Sequence, residues 1–223
     1  MSDSKPTLAI LGGSGDLGGG LAFRWARAGY PVIIGSRSAD KAREAAAALA
    51  ARVPAGDVRG LDNEAAAAAG DIVVLTVPFA NQAPTLEAVK APLQGKILID
   101  VTVPLVPPKV GTVQLPAGGS AGQIAQSLLG EGVRVVSAFQ NVAAAHLEDP
   151  DHDPDCDVLV CGNDAAACQQ VLTLVAAAGM KGWHAGPIAN AVVAEALTSV
   201  LITLNRRYKI PGAGFRITGT PQA

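Results

Sequence analysis

The segment Gly13-Ser14-Gly15-Asp16-Leu17-Gly18, led by Gly12, constrains this chain more than any other stretch. It matches G-x-G-x-x-G and lies between an apolar run, Thr7–Leu11, and an amphipathic pattern, Leu17–Ala28, closed by Gly29. A strand, a glycine turn and a helix in that order open a nucleotide-binding α/β fold. Gly13 is expected to allow the tight turn, Gly15 to let a pyrophosphate approach the backbone, and Gly18 to let the helix pack on the sheet. The free N–H groups and partial positive charge of the helix N-terminus would receive the phosphates.

Short β-branched runs then alternate with longer alanine-rich ones, which predicts βα units and a parallel sheet. Strands are expected at Pro31–Gly35, Asp57–Gly60, Asp71–Val77, Lys96–Val101 and Val133–Ala138. Helices are expected at Asp40–Arg52 with Ser38 as N-cap, at Asn63–Ala69, and from about Gln123 to Leu129. The Pro- and Gly-rich stretch Pro104–Gly122 is long for a simple connection, which marks a functional or mobile loop. After Asn141 the texture changes: strand Asp157–Cys161, helix Ala165–Ala177, strand Gly182–His184, a long apolar helix Ile188–Arg206, and an irregular tail from Pro211. The expected fold class is α/β, a Rossmann-type doubly wound parallel sheet with a small C-terminal α/β domain. The boundary is set near Ala143, giving a nucleotide-binding domain at 1–143 and a domain at 144–223 for the substrate cleft and dimerisation.

The end of the second strand selects the nucleotide. An NAD site usually carries an acidic residue there to bond the ribose 2′-hydroxyl. Here the run is Gly35-Ser36-Arg37-Ser38, with no acidic residue before Asp40. The planar fork of Arg37 suits a 2′-phosphate, and the Ser36 hydroxyl adds a donor. Ser14 is placed to reach the same phosphate, with Lys41 and Arg43 adding positive field. These residues point to NADP(H) rather than NAD(H).

Composition excludes several classes. A net charge of −2 gives no electrostatic footprint for nucleic acid or an anionic membrane. With 49% hydrophobic and only 16% charged residues, the chain is expected to fold around a core. Met1–Thr7 is polar, with no secretory pattern. The apolar stretches Ile72–Ala80 and Ala189–Leu204 are read as too short to span a membrane, the second interrupted by Glu195. Three cysteines, Cys156, Cys161 and Cys168, are an odd number without a C-x-x-C pair, so neither a disulfide framework nor zinc is expected. A cytoplasmic location fits. His146, Asp149, Asp151, His152, Asp153, Asp155 and Cys156 read as a solvated acidic loop, since their spacing matches no metal-ligand pattern. His184 is read as facing either the cleft or the surface, and Glu195 as either a functional buried acid or a residue at a domain or subunit junction. The apolar helix Ile188–Arg206 is expected to form a homodimer interface.

From Leu8 to about Val142 the chain resembles the NADP-dependent reductases of coenzyme F420, a deazaflavin hydride carrier. The resemblance is carried by Leu11–Gly18, Gly35-Ser36-Arg37, Leu75-Thr76-Val77-Pro78, Val103-Pro104-Leu105-Val106-Pro107 and Val135-Val136-Ser137-Ala138-Phe139. It continues more weakly through Asp157–Gly162 and Ala185–Ile188. It implies direct hydride transfer between nicotinamide C4 and deazaflavin C5, with both rings in one cleft. It further implies 2′-phosphate contacts at Ser14, Ser36 and Arg37, and a nicotinamide ribose along Thr76, Val77 and Pro78. The ring would lie near Ala138–Val142, and Pro104–Pro107 would wall the second substrate. The cofactor-binding candidates are therefore Gly13, Ser14, Gly15, Asp16, Leu17, Gly18, Ser36, Arg37, Lys41, Thr76, Val77, Pro78 and Ala138. Gln140 and Asn141 are the catalytic candidates, placed to orient the carboxamide or bond a ring carbonyl, and equally able to be structural. The chain departs from the resemblance at Gln140, where a histidine is implied. Two other readings stay open: an NADPH-dependent reductase of another small carbonyl or imine compound, with His146 or His184 as proton donor, and a non-catalytic NADP(H) sensor.

Overall fold

The computed structural model describes residues 4–149 and 151–219. Residues 1–3 of the polar start Met1–Thr7 lie outside the described residues, as do residues 220–223 of the tail.

Strands β1 (Leu8–Leu11), β2 (Val32–Ser36), β4 (Ile72–Leu75) and β5 (Ile97–Asp100) are buried at every residue. Parallel strands covered by helices on both faces need such unbroken apolar runs. With β3 (Val58–Asp62), β6 (Arg134–Ser137), β7 (Asp157–Gly162) and β8 (Lys181–His184) they form an eight-stranded sheet, in the order β3-β2-β1-β4-β5-β6-β7-β8. Every pairing is parallel except β6 with β7. The chain runs outward from β1 to β3, then returns to lay β4 on the other side of β1. That reversal opens a crevice at the carboxyl ends of β1 and β4, where Leu11 is in register with both Gly35 and Leu75.

Helices α1 (Asp16–Arg27), α2 (Ala39–Arg52) and α7 (Ala165–Ala177) cover one face. Helices α3 (Asn63–Ala69), α4 (Phe79–Leu93) and α5 (Ala121–Leu129) cover the other. The short α6 (Ala144–Glu148) and the long α8 (Ala191–Tyr208) complete the set among the described residues. Ser38 caps α2 as expected, its hydroxyl accepting from the Lys41 N–H. Residue 143 falls in the turn before α6, and the strands after it extend the same sheet, with Ser137 of β6 opposite Cys161 of β7. The Trp25 indole N–H donates to the Leu174 carbonyl at 2.8 Å, so α1 and α7 share one core across that position.

Two expectations are corrected. The strand expected at Asp71–Val77 spans Ile72–Leu75, and between it and β5 the chain forms a helix that the sequence reading did not include, α4, which buries Gln82, Leu86, Val89 and Leu93 at helical spacing despite Pro84 and Pro92 inside it. The helical run Ile188–Tyr208 is long and apolar enough to cross a bilayer, at 21 residues and mean hydropathy 1.5. Its packing gives the apolarity another reason: Ala191, Ala194, Glu195, Ser199 and Leu201 are buried against the rest of the fold.

Candidate functional site

The glycine loop begins where β1 ends. Gly12 carries the left-handed backbone, with φ of +79°, and its N–H donates to the Gly35 carbonyl at 3.0 Å. The left-handed residue of the turn is therefore Gly12, while the Gly13 N–H closes the turn on the Ile10 carbonyl at 3.1 Å. Gly13 is also needed for space, since a Cβ there would stand 2.8 Å from the Ile10 carbonyl oxygen. Gly18 is tighter still. A Cβ on it would come within 2.5 Å of Thr76 Oγ1 and 2.8 Å of Gly13 Cα, so α1 presses on the loop and the end of β4 together. Gly15 is exposed and caps α1 without any side-chain hydrogen bond, which leaves the first-turn N–H groups to a ligand.

A cleft of about 470 Å³ opens in front of this turn. Ser14 and Gly15 line it from the loop; Ser36, Arg37, Ser38 and Lys41 line it from the end of β2 and the start of α2; Thr76, Val77 and Pro78 line it after β4. Neither Arg37 nor Lys41 is ion-paired with a carboxylate among the described residues. Two cations without a carboxylate partner among the described residues and three serines thus stand beside an uncapped helix start, chemistry able to receive anionic groups. Thr76 is fastened rather than free: its hydroxyl donates to the Leu11 carbonyl at 2.8 Å and locks the end of β4 to β1. Among the described residues, Arg37 and Lys41 are the only titratable side chains lining the cleft.

The remaining expected residues lie elsewhere. Asp16 faces a separate hollow with Arg52 and Glu148, on the far side of the loop. Leu17 packs against the core, and Ala138 is fully buried. Gln140 and Asn141 are also buried and do not line the cleft. The Gln140 amide N–H donates to the Asp100 carbonyl and to Ser137 Oγ, both at 2.8 Å. Asn141 donates to the Ala194 carbonyl at 2.8 Å and to Thr198 Oγ1 at 3.1 Å. Their amides tie the end of β6 to β5 and to α8. Between them and β6, Phe139 turns the chain with φ of +71°, its buried ring edge-on to Trp25 at 5.7 Å.

Beneath the carboxyl end of the sheet lies a buried polar cluster. The Asp100 carboxylate accepts from the Thr102 N–H at 2.8 Å and from the Gln82 amide, which also donates to the Ala121 carbonyl at 3.0 Å. Glu195 of α8 accepts from the Ala121 and Gly122 N–H groups at 2.7 and 3.0 Å, and so caps α5 from another helix. Burial pushes Glu195 up to about 7, and the neighbouring Asp100 adds to the rise while the two backbone donors oppose it. Burial raises Asp100 as well.

The acidic loop is partly ordered around Arg24, whose guanidinium donates to the carbonyls of His146, Leu147, Asp149 and His152. His146 and His152 stack at 4.3 Å, and burial with that neighbour lowers the His146 pKa. No group of three metal-ligating side chains is found among the described residues, and His184 is exposed at the end of β8. Sequence reasoning missed Asn63, Asn81 and Thr85, which line the cleft from α3 and α4. The helical spacing of Gln82, Leu86, Val89 and Leu93 was the signal that places the last two, and Pro84 obscured it.

The sheet order, the glycine turn and the crevice define a dinucleotide-binding protein of the Rossmann class. A family model described as NADP oxidoreductase coenzyme F420-dependent matches residues 7–104. The F420-dependent NADP reductase of Methanocaldococcus jannaschii is 42% identical over 95% of this chain and 97% of its own. That of Methanothermobacter thermautotrophicus is 39% identical over 96% of both chains. A crystal structure from Arthrobacter sp. fb24, described as an F420-dependent NADP reductase, aligns with a TM-score of 0.78 at 29% identity, covering 95% of this chain and 99% of that one. The chain belongs to the F420-dependent NADP reductase family.

Proposed function

We propose that this chain holds NADP(H) in the cleft before the glycine loop and passes a hydride between its nicotinamide and the deazaflavin F420. As a member of its family it is an NADP-dependent oxidoreductase with NADP(H) and F420 as its redox partners. The observation that carries the residue-level reading is the pair of unpaired cations, Arg37 and Lys41, set beside Ser36 in the cleft that begins at the uncapped start of α1.

Here Ser14 and the first-turn N–H groups of α1 would take the pyrophosphate, and Ser36, Arg37 and Lys41 the 2′-phosphate. Thr76, Val77 and Pro78 would bound the nicotinamide ribose. The two redox rings carry their own electronics, and the protein supplies placement and exclusion of water. That division of labour suits a cleft whose only titratable side chains among the described residues are two cations. A carbonyl or imine reductase needs a proton donor beside the hydride acceptor, and neither His146 nor His184 lines the cleft. Gln140 and Asn141 are assigned to positioning the end of β6, through their bonds to β5 and α8.

The segment 144–223 is proposed to complete the second-substrate cleft and to carry a homodimer contact. Val193 and Val200, two turns apart on α8, are 57% and 43% exposed, an apolar stripe a second copy would cover. A cytoplasmic location belongs to the same proposal and rests on three free thiols, at Cys156, Cys161 and Cys168. The test is isotopic. NADPH deuterated at C4 is mixed with F420 and the enzyme, and the label is followed to the deazaflavin. Retention at C5 is the expected result; washout into solvent would overturn direct transfer.

A further inference from the structure

The segment 101–120 leaves β5 and returns at α5, and one side chain closes it at the base. The Gln82 amide NH2 donates both to the Asp100 carboxyl group, at the end of β5, and to the Ala121 carbonyl, at the start of α5. Gln82 and Asp100 are each 1% exposed, so water does not compete for these bonds. The two ends of the segment are thereby held side by side. The Thr102 N–H, donating to the same carboxyl group at 2.8 Å, fixes the direction in which the chain departs.

The rest of the segment is braced as well. The Gln114 amide donates across its middle to the carbonyls of Val106 and Lys109, at 3.3 and 3.4 Å. At its tip the Gly111 carbonyl accepts from the Thr203 hydroxyl of α8 at 2.8 Å. That oxygen is nearer than the Ser199 carbonyl of the same helix, at 3.1 Å, so the tip takes the proton. Gly111 permits the approach, since a Cβ on it would stand 2.8 Å from Thr203 Oγ1.

The segment stands at the reacting end of the molecule. Asp100 is in register with Leu75, and the Val101 N–H donates to the Leu75 carbonyl at 3.2 Å. It therefore departs one strand away from Thr76–Pro78, which line the dinucleotide cleft after β4. Val106, Val113 and Leu115 leave apolar surface exposed along it. Apolar contact is non-directional, so what a flat ring meets here depends on where the backbone is held. We propose that Gln82 at the base and Thr203 at the tip are positioning residues for the second substrate. They hold the segment as a fixed wall and so set the affinity for the deazaflavin, while neither lines the dinucleotide cleft. The inference rests on the F420 reading above.

Three variants test it. Gln82→Ala opens the base, Thr203→Val removes the tip bond at an exposed position, and Thr203→Ser keeps the hydroxyl. Steady-state kinetics with NADPH and F420 are measured alongside NADPH titration and urea unfolding. Gln82→Ala and Thr203→Val are each expected to raise KM for F420 by roughly two- to tenfold. Their kcat and their affinity for NADPH are expected to stay at wild-type values, and Thr203→Ser to match wild type throughout. If Gln82→Ala does not fold, the two Thr203 variants decide. An unchanged KM for F420 in Thr203→Val would overturn the inference, as would an equal loss of NADPH affinity. Failure of the wild type to pass a hydride from NADPH to F420 would overturn the reading beneath it.

Discussion

Glu195 on α8 accepts a hydrogen bond from the backbone N–H of Ala121 at 2.7 Å, across 74 residues of chain. With the Gly122 N–H it gives α5 a cap supplied by another helix, and it carries this carboxyl, 2% exposed, into the core. Asp100 of β5 acts on it from the sheet, and Glu195 in turn adds to the rise that burial imposes on the Cys161 thiol of β7.

The pH consequence follows from burial. Glu195 is raised from 4.5 to about 7 in the folded protein. The folded state thus holds a proton that the unfolded chain releases at lower pH. The resulting stabilisation is fully present below about 4.5 and is lost as pH rises through about 7. Its size is on the order of 3 kcal/mol. Urea unfolding at pH 5 and pH 8 should show wild type losing that amount relative to Glu195→Gln. Equal pH slopes in the two proteins would contradict it.

Asn141 is bonded to the Ala194 carbonyl and Thr198 Oγ1, and Thr198 Oγ1 donates in turn to the Gln140 carbonyl at 2.9 Å. Asn141→Ala leaves these buried groups short of partners. It should cost about 1–3 kcal/mol of stability, read as a lower urea midpoint, while kcat per folded molecule stays within a few-fold of wild type. A fall in kcat by orders of magnitude at unchanged stability would show that the amide acts on the substrates.

Gly18 lies against Thr76 and Gly13 with no room for a methyl group. Gly18→Ala must shift α1 away from the loop, at a cost of about 1–3 kcal/mol. The same shift moves the helix start away from the phosphates. Both the unfolding midpoint and NADPH affinity should drop, and a variant that binds NADPH normally would refute the tight contact.

The first βα unit was legible because a strand, its glycines and a helix are contiguous in sequence. The residue-level roles within it were less so: Gly12 rather than Gly13 takes the positive φ, a distinction that depends on where β1 stops. That Ser36, Arg37 and Lys41 line the cleft was legible because the end of the second strand borders the crevice in every such unit. The α4 helix was hidden by Pro84 and Pro92, each of which removes a backbone donor that a helix ordinarily uses. The antiparallel join of β7 to β6, the cap by Glu195 and the packing of Asn63 on Gly35 pair residues distant in sequence, and no local pattern encodes them.

The most direct measurement is kcat/KM for NADPH and for NADH with F420 as partner, in wild type and in Arg37→Ala, followed by the deazaflavin absorbance. The account predicts that wild type prefers NADPH on the order of a hundredfold, the worth of charge-assisted bonds to one phosphate. It further predicts that Arg37→Ala loses most of that preference through KM. Equal use of NADPH and NADH by wild type, or no change in the deazaflavin with either, would contradict it.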